Sequence, residues 1–131
     1  MPMTHDLNIP GSQSTPAIQA DWQAGSLCMQ GDSYPENSYE LFNQVIGWTE
    51  RFLADATHPL TLQLELVYLN TSSVKAMMDI FDLLEEAHLD GREVRVIWRF
   101  DDRNERIGEL AEEFREDCTF DFAITPMRVS V

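Results

Sequence analysis

A chain of 131 residues, 44% of them hydrophobic, is long enough for one domain with one core that needs no disulfide or metal to fold. Its nine basic and 23 acidic side chains give a net charge of −14, which disfavours binding to nucleic acid or to an anionic membrane surface. Solubility explains such a charge adequately, and attraction to a basic partner surface is the more specific alternative.

The two cysteines and the hydropathy pattern indicate the cellular environment. Cys28 and Cys118 lie far apart among apolar neighbours, so we expect reduced, half-buried thiols without a metal. No apolar run reaches the length of a membrane span, and the first 14 residues lack the layout of a signal peptide. These patterns predict a cytoplasmic protein that does not insert into membranes.

The N-terminal third reads as an arm followed by a hairpin. Residues 1–14 contain prolines and small polar side chains, which predicts a loosely ordered arm with a short strand at Leu7–Ile9. Thr15–Ala20 and Ser26–Gln30 resemble two short strands joined across Ala24-Gly25. The remaining residues, 15–131, are predicted to form a single domain.

The middle of the chain alternates helix and strand signals. Glu36-Asn37-Ser38 offers N-cap residues, and a broad apolar stripe with helical spacing follows. Residues 60–69 then alternate as a strand, in which Val67 and Leu69 make the last part apolar on both faces. This composition predicts a central strand between two layers of helices.

The last third repeats the alternation. A second helix is predicted from about Val74 to His88, and a strand over residues 94–100. Asp101 or Asp102 is expected to cap a third helix that runs to about Asp117, before a last strand over residues 120–124. The order β-β-α-β-α-β-α-β predicts an α/β fold with a mixed sheet, in which an N-terminal hairpin precedes crossover helices.

The junction after the strand over residues 60–69 is the most informative segment. Asn70, Thr71, Ser72 and Ser73 place three hydroxyl groups where a buried strand passes into a helix. Ligands and partners of open α/β sheets meet the carboxyl ends of the strands, and helix N-termini attract phosphate. Lys75 would lie one turn away. The segment therefore fits either a regulatory phosphorylation site or ordinary helix capping.

Other polar features give weaker signals. The turn-rich loop of residues 31–38, with Tyr34, Glu36 and Asn37, is a second candidate contact surface, and it is expected near Thr71 at the same end of the sheet. The carboxylates of the last two helices are typical of solvated faces, so a small acid–base enzyme is a minor alternative. The histidines are isolated, and no catalytic or cofactor-binding motif is present, so we expect no enzyme activity, metal or cofactor.

Four stretches carry a resemblance to a known family. They are Pro10 to Pro16, Gly31 to Ser38, Leu69-Asn70-Thr71-Ser72-Ser73, and Asn104 to Asp117. Over nearly its whole length the chain resembles the SiaC family of regulatory phosphoproteins. The layout of strand, hydroxyl group and helix is also similar to STAS-domain anti-sigma-factor antagonists, which implies a STAS-like fold.

The resemblance implies a partner-switching circuit. A SiaB-type serine/threonine kinase would phosphorylate Thr71, with Ser72 and Ser73 as alternatives, and a SiaA-type metal-dependent phosphatase would remove the phosphate. The unphosphorylated form would bind and activate a SiaD-type diguanylate cyclase, raising cyclic di-GMP and promoting biofilm formation or aggregation. Residues 70–73 with Tyr34, Glu36 and Asn37 are the expected partner contacts. The alternative output is a STAS-like antagonist that binds an anti-sigma kinase.

Overall fold

Alternating strands and helices build a mixed sheet in the computed structural model, which describes residues 6–128. The described elements are β1 (Leu7–Ile9), β2 (Ala17–Asp21), β3 (Ser26–Ser33), α1 (Ser38–Asp55), β4 (Leu60–Leu69), α2 (Thr71–Leu89), β5 (Val94–Asp101), α3 (Glu105–Glu116) and β6 (Asp121–Met127). Their types and order confirm the predicted α/β fold with an N-terminal hairpin.

The sheet runs in chain order, β1-β2-β3-β4-β5-β6. β1, β2 and β3 pair antiparallel, whereas β3 to β6 are parallel neighbours. Parallel strands need crossover connections, and α1, α2 and α3 supply them. As a consequence, the carboxyl ends of β3, β4, β5 and β6 all lie at one edge of the sheet.

The core lies on one face of this sheet. Right-handed crossovers along a sheet whose strand order never reverses place every helix on the same side. Leu62, Leu64 and Leu66 of β4 and Trp98 of β5 are almost fully buried there. Trp98 stacks on Phe114 of α3, with their ring centroids 5.8 Å apart.

The opposite face of the sheet contradicts one prediction. Thr61, Gln63 and Glu65 of β4 point away from the core and are half-buried, and Val67 is 53% exposed. The strand therefore does not lie between two helix layers. That prediction was wrong because apolar residues on both faces of a strand end do not reveal whether a second layer exists to cover them.

The N-terminal arm, predicted over residues 1–14, is described from residue 6 onward. Leu7–Ile9 forms β1 and confirms the predicted short strand, which pairs with Ile18 to Ala20 of β2. Ser12 then begins a turn closed by its backbone N–H donating to the carbonyl of Thr15 at 2.9 Å. The division into an arm and a domain over residues 15–131 stays a prediction, since residues 1–5 and 129–131 lie outside the described residues.

Two helix starts differ from prediction. α2 begins at Thr71 rather than near Val74, because Asn70 serves as its N-cap. α3 is capped by Asn104 and not by Asp101 or Asp102. Asp101 still belongs to β5, and its carboxylate accepts hydrogen bonds from Arg103.

Within residues 6–128, no helix has both the length and the apolarity that a bilayer crossing demands.

Candidate phosphorylation and partner-binding site

The ends of β3 and β4 bring the two candidate segments together. Ser33 of β3 is in register with Leu69 of β4, and the backbone N–H of Asn70 donates to the carbonyl of Ser33 at 2.9 Å. The loop that follows β3 therefore lies beside the start of α2. This confirms the expectation that residues 31–38 lie near Thr71 at one end of the sheet.

Asn70 organises the start of α2. Its side-chain oxygen accepts hydrogen bonds from the backbone N–H of Ser73 at 3.0 Å and from the hydroxyl of Ser72 at 3.2 Å. Such a cap satisfies one of the donors that every helix start leaves open. Thr71 becomes the first helical residue, where the remaining donors and the helix dipole favour negative charge.

The three hydroxyl groups of the junction differ sharply in accessibility. Ser73 is fully buried, and its hydroxyl lies 2.8 Å from that of Ser33. The hydroxyl of Ser72 lies 2.5 Å from that of Ser38 at the start of α1. Thr71 is exposed, and within residues 6–128 its hydroxyl has no hydrogen-bond partner. Of the three, Thr71 presents the hydroxyl that an enzyme can reach without breaking an existing contact.

Lys75 lies on the same face of α2 as Thr71. It is exposed and follows Thr71 by four residues, a spacing that makes side chains neighbours on a helix surface. With Ser72, it lines a groove between α1 and α2 that Tyr39 also borders. Lys75 is thus the cation placed to meet a negative group added at Thr71.

The predicted contact residues of the loop have different surroundings. Tyr34 is 39% exposed, and its ring meets that of Tyr68 edge-on with centroids 6.0 Å apart. Asn37 caps α1 by accepting a hydrogen bond from the backbone N–H of Glu40 at 3.2 Å. Glu36 is exposed. The loop therefore offers an aromatic side chain and a carboxylate to a partner, and Asn37 also has a structural role.

Sequence reasoning missed several residues of this edge. Val67 and Tyr68 are 53% and 47% exposed, although Val67 was expected inside. Asn104 donates its side-chain N–H to the carbonyl of Val67 at 3.1 Å and so joins the start of α3 to the end of β4. The run Val67-Tyr68-Leu69 shows only that apolar side chains lie on both faces of the strand end, because side chains of a strand alternate, and it gives no signal that two of them are exposed.

The other titratable groups do not converge on this edge. Within residues 6–128, no three His, Cys, Asp or Glu side chains are arranged to hold a metal ion. Hydrogen bonds from Arg103 lower the pKa of the exposed Asp101 carboxyl. Cys28 and Cys118 are free and half-buried, as predicted, and burial raises the pKa of both thiols.

Comparison with known proteins identifies the family. Residues 9–127 match the sequence model of the SiaC family regulatory phosphoproteins. An uncharacterized protein of Pseudomonas aeruginosa strain UCBPP-PA14 is 75% identical over 119 residues, which are 91% of this chain and 94% of that protein.

Solved structures agree with this match. The crystal structure of apo-SiaC from Pseudomonas aeruginosa is 72% identical with a TM-score of 0.90, over 94% of this chain and 99% of that one. A second similar chain comes from the crystal structure of diguanylate cyclase SiaD in complex with its activator SiaC from Pseudomonas aeruginosa. It is 73% identical with a TM-score of 0.91, over 93% of this chain and 100% of that one. On sequence and structure together, the chain belongs to the SiaC family of regulatory phosphoproteins.

Proposed function

We propose that this protein is a phosphorylation-controlled activator of a diguanylate cyclase. The unphosphorylated form binds a SiaD-type cyclase and stimulates it, which raises cyclic di-GMP and promotes biofilm formation or aggregation. A SiaB-type serine/threonine kinase phosphorylates Thr71 and blocks this binding, and a SiaA-type metal-dependent phosphatase restores it. A cytoplasmic location follows from the proposal, since the kinase step uses ATP.

The accessible hydroxyl of Thr71 is the observation that carries the proposal. It is exposed at the first position of α2, whereas Ser73 is buried against Ser33 and Ser72 contacts Ser38. Exposed aromatic and apolar side chains, Tyr34 and Tyr68 among them, surround the same sheet edge. A phosphate added at Thr71 would therefore lie beside a surface suited to a protein partner. The complex of the similar SiaC with its cyclase supports that choice of partner.

The charge of a phosphate is sufficient for control. Phosphorylation adds about −1.5 to −2 charges and three strong hydrogen-bond acceptors. A bound partner would have to dehydrate this group, at a cost of several kcal/mol. A loss of about 4 kcal/mol weakens affinity roughly a thousandfold, which separates a bound from an unbound state.

Phosphorylation of the purified protein tests the site. The protein is incubated with its cognate kinase, Mg²⁺ and ATP, and the product is located by tandem mass spectrometry. We expect one phosphoryl group on Thr71, absent from Thr71→Ala and retained in the matched control Ser72→Ala. Modification of Ser72 or Ser73 in the wild-type protein would preserve the circuit and move its site.

Cyclase assays test the output. Unmodified protein and Thr71→Ala should bind the cyclase and stimulate cyclic di-GMP synthesis, and the stoichiometrically phosphorylated protein should do neither. Treatment with the phosphatase should restore both properties. Equal binding by the phosphorylated and bare proteins would contradict the proposal. Binding to an anti-sigma kinase in place of the cyclase would favour the antagonist alternative.

A further inference from the structure

The sheet splits between β4 and β5 near the carboxyl ends of these strands. Their pairing ends at Leu64 and Trp98, although β4 continues to Leu69 and β5 to Asp101. On their outer sides the two strands stay paired with β3 and β6 along the same stretch. A crevice at the carboxyl ends of parallel strands is the usual place for a small ligand in an open α/β sheet.

A cleft of about 290 Å³ lies at this split. Its apolar lining includes Leu66, Phe100 and Ile107 from the core side of the sheet and Val67 from the opposite face. The core side is tightly held, because a Cβ added at Gly108 of α3 would lie only 2.8 Å from the Phe100 ring. The volume is at the low end of the range of about 300–1,000 Å³ that is typical of small-molecule sites.

Two opposite charges border the cleft without neutralising each other. Glu65 of β4 and Arg99 of β5 line it, are half-buried, and point to the face of the sheet that the helices leave uncovered. Among the residues that the structure describes, neither forms an ion pair. The Arg99 guanidinium donates a long hydrogen bond of 3.5 Å to the side-chain oxygen of Gln63. Burial raises the pKa of the Cys28 thiol, Arg99 lowers it and Glu65 raises it, so both charges act on the same small area.

The other polar groups of the cleft are already engaged with the protein. Asp101 accepts hydrogen bonds from the backbone N–H and the guanidinium of Arg103, at 3.0 Å each. Asn104 donates its side-chain N–H to the carbonyl of Val67 at 3.1 Å. The carboxylate of β4 and the guanidinium of β5 are therefore the charged groups left to bind a ligand.

We infer that this cleft binds a small zwitterion with an apolar side chain, namely an α-amino acid such as leucine or phenylalanine. Its carboxylate meets Arg99, its ammonium group meets Glu65, and its side chain lies against Leu66 and Phe100. The inference goes beyond the proposed function, because neither the phosphorylation site nor a partner protein takes part in it.

Charge complementarity selects this class of ligand. A simple carboxylate would leave Glu65 unpaired in a half-buried site, and a simple amine would leave Arg99 unpaired. A zwitterion satisfies both charges with charge-assisted hydrogen bonds. Its net charge is zero, so the chain's net charge of −14 does not repel it.

Titration of the purified, isotope-labelled protein with L-leucine and with L-phenylalanine tests the site. Amide NMR spectra should show saturable shifts centred on residues 64–67 and 98–101, with a Kd below about 1 mM. The compounds 4-methylpentanoate and isopentylamine resemble leucine without its ammonium group or without its carboxylate. Each should bind at least about tenfold more weakly than leucine.

Three results of these titrations would overturn the inference. One is the absence of saturable shifts with both amino acids up to about 10 mM. Another is saturable binding whose shifts lie away from the cleft. The third is a leucine affinity that either analogue equals, because the two charges would then contribute nothing.

Single charge removals test the two contacts. Arg99→Gln is compared with Arg95→Gln, which removes the same charge from the same face of β5 at a residue paired with Asp121 outside the cleft. Glu65→Gln is compared with Glu93→Gln, at an exposed position outside the cleft. The cleft variants should bind leucine at least about tenfold more weakly, and the controls within about twofold of wild type.

The NMR spectrum of each variant also reports folding, so lost binding is separated from a lost fold. Arg99→Lys keeps the positive charge without the planar fork, and it should bind leucine more tightly than Arg99→Gln does. Folded cleft variants that bind leucine like wild type would overturn the site. Cleft variants and controls that lose binding equally would overturn it as well, since the effect would then come from net charge.

Discussion

Ser33 and Ser73 lie 40 residues apart in the chain, yet their hydroxyl oxygens are 2.8 Å apart, and both residues are fully buried. One ends β3 and the other lies in the first turn of α2. Their contact fixes that turn against the sheet. Because Ser73 faces inward, Thr71, two residues earlier, faces solvent.

Removing one of these hydroxyls should destabilise the fold. Ser73→Ala leaves the hydroxyl of Ser33 buried without its partner, which costs about 1–3 kcal/mol. Ser33→Ala should cost a similar amount by the same argument. The double variant should lose less than the sum of the two, because no unpaired hydroxyl remains. Urea denaturation of the four proteins measures this coupling, and strictly additive losses would show that the contact contributes nothing.

Two glycines with positive φ should respond differently to alanine. Gly91 has a φ of 94°, and a Cβ added there meets nothing within 4 Å, so Gly91→Ala should cost only the backbone strain of about 1–2 kcal/mol. Gly25 has a φ of 66°, and its added Cβ would lie 2.2 Å from the carbonyl oxygen of Pro59. Gly25→Ala should therefore destabilise the protein more than Gly91→Ala does. Thermal unfolding ranks the two, and equal losses would contradict the clash.

The order of helices and strands could be predicted because the spacing of apolar residues within each segment determines it. Alternation along β4 and the helical stripes of α1 and α2 depend on neighbouring residues alone. The exposure of Val67 depends instead on whether a second layer covers the sheet, which is a property of the whole strand order. Local apolarity at the end of a strand is compatible with either arrangement.

The helix caps and the choice of hydroxyl show the same limit. Several residues at each junction have side chains that could cap a helix, and the end of the preceding strand decides which residue becomes the N-cap. Asn70 follows Leu69, the last residue of β4, and Asn104 follows β5, which continues through Asp101. The sequence places three hydroxyls in a row at residues 71–73. Only the fold supplies Ser33 and Ser38 as the partners that occupy two of them.

The thiol of Cys118 should be slow to react below pH 9. Burial, followed by the nearby carboxylates of Glu85, Asp117 and Asp82, raises its pKa from 9.0 to about 11, and its S–H donates to the carbonyl of Phe114 at 3.3 Å. The thiolate is the reactive form. In a Cys28→Ala background, iodoacetamide should label the unfolded chain roughly a hundredfold faster than the native one at pH 8, as the two pKa values imply.

The raised pKa of Cys118 also makes the stability of the fold depend on pH. The folded state prefers the protonated thiol, so this preference stabilises the protein fully below pH 9 and is lost as pH rises from 9 towards 11. Cys118→Ser, which does not titrate in this range, should lose less stability over that interval. Native labelling as fast as unfolded labelling would contradict both expectations.

Aspartate at position 71 should separate folding from binding. A carboxylate at the first position of α2 interacts favourably with the helix dipole and the open amide donors, so Thr71→Asp should raise the free energy of unfolding by about 0.3–1 kcal/mol. The same charge should weaken cyclase binding, because it lies beside the apolar surface of Val67 and Tyr68. The effect should be partial, since aspartate carries about one charge and phosphate nearly two.

The control for this variant is Thr71→Asn, which has nearly the shape of aspartate without its charge. Asparagine and alanine should both retain cyclase binding, so a loss confined to aspartate assigns the effect to charge. Thermal unfolding and calorimetric titration are measured on the same samples. A Thr71→Asp variant that binds the cyclase as tightly as Thr71→Asn does would exclude control by charge at this position. A parallel loss of stability and binding would instead indicate that the start of α2 had been disrupted.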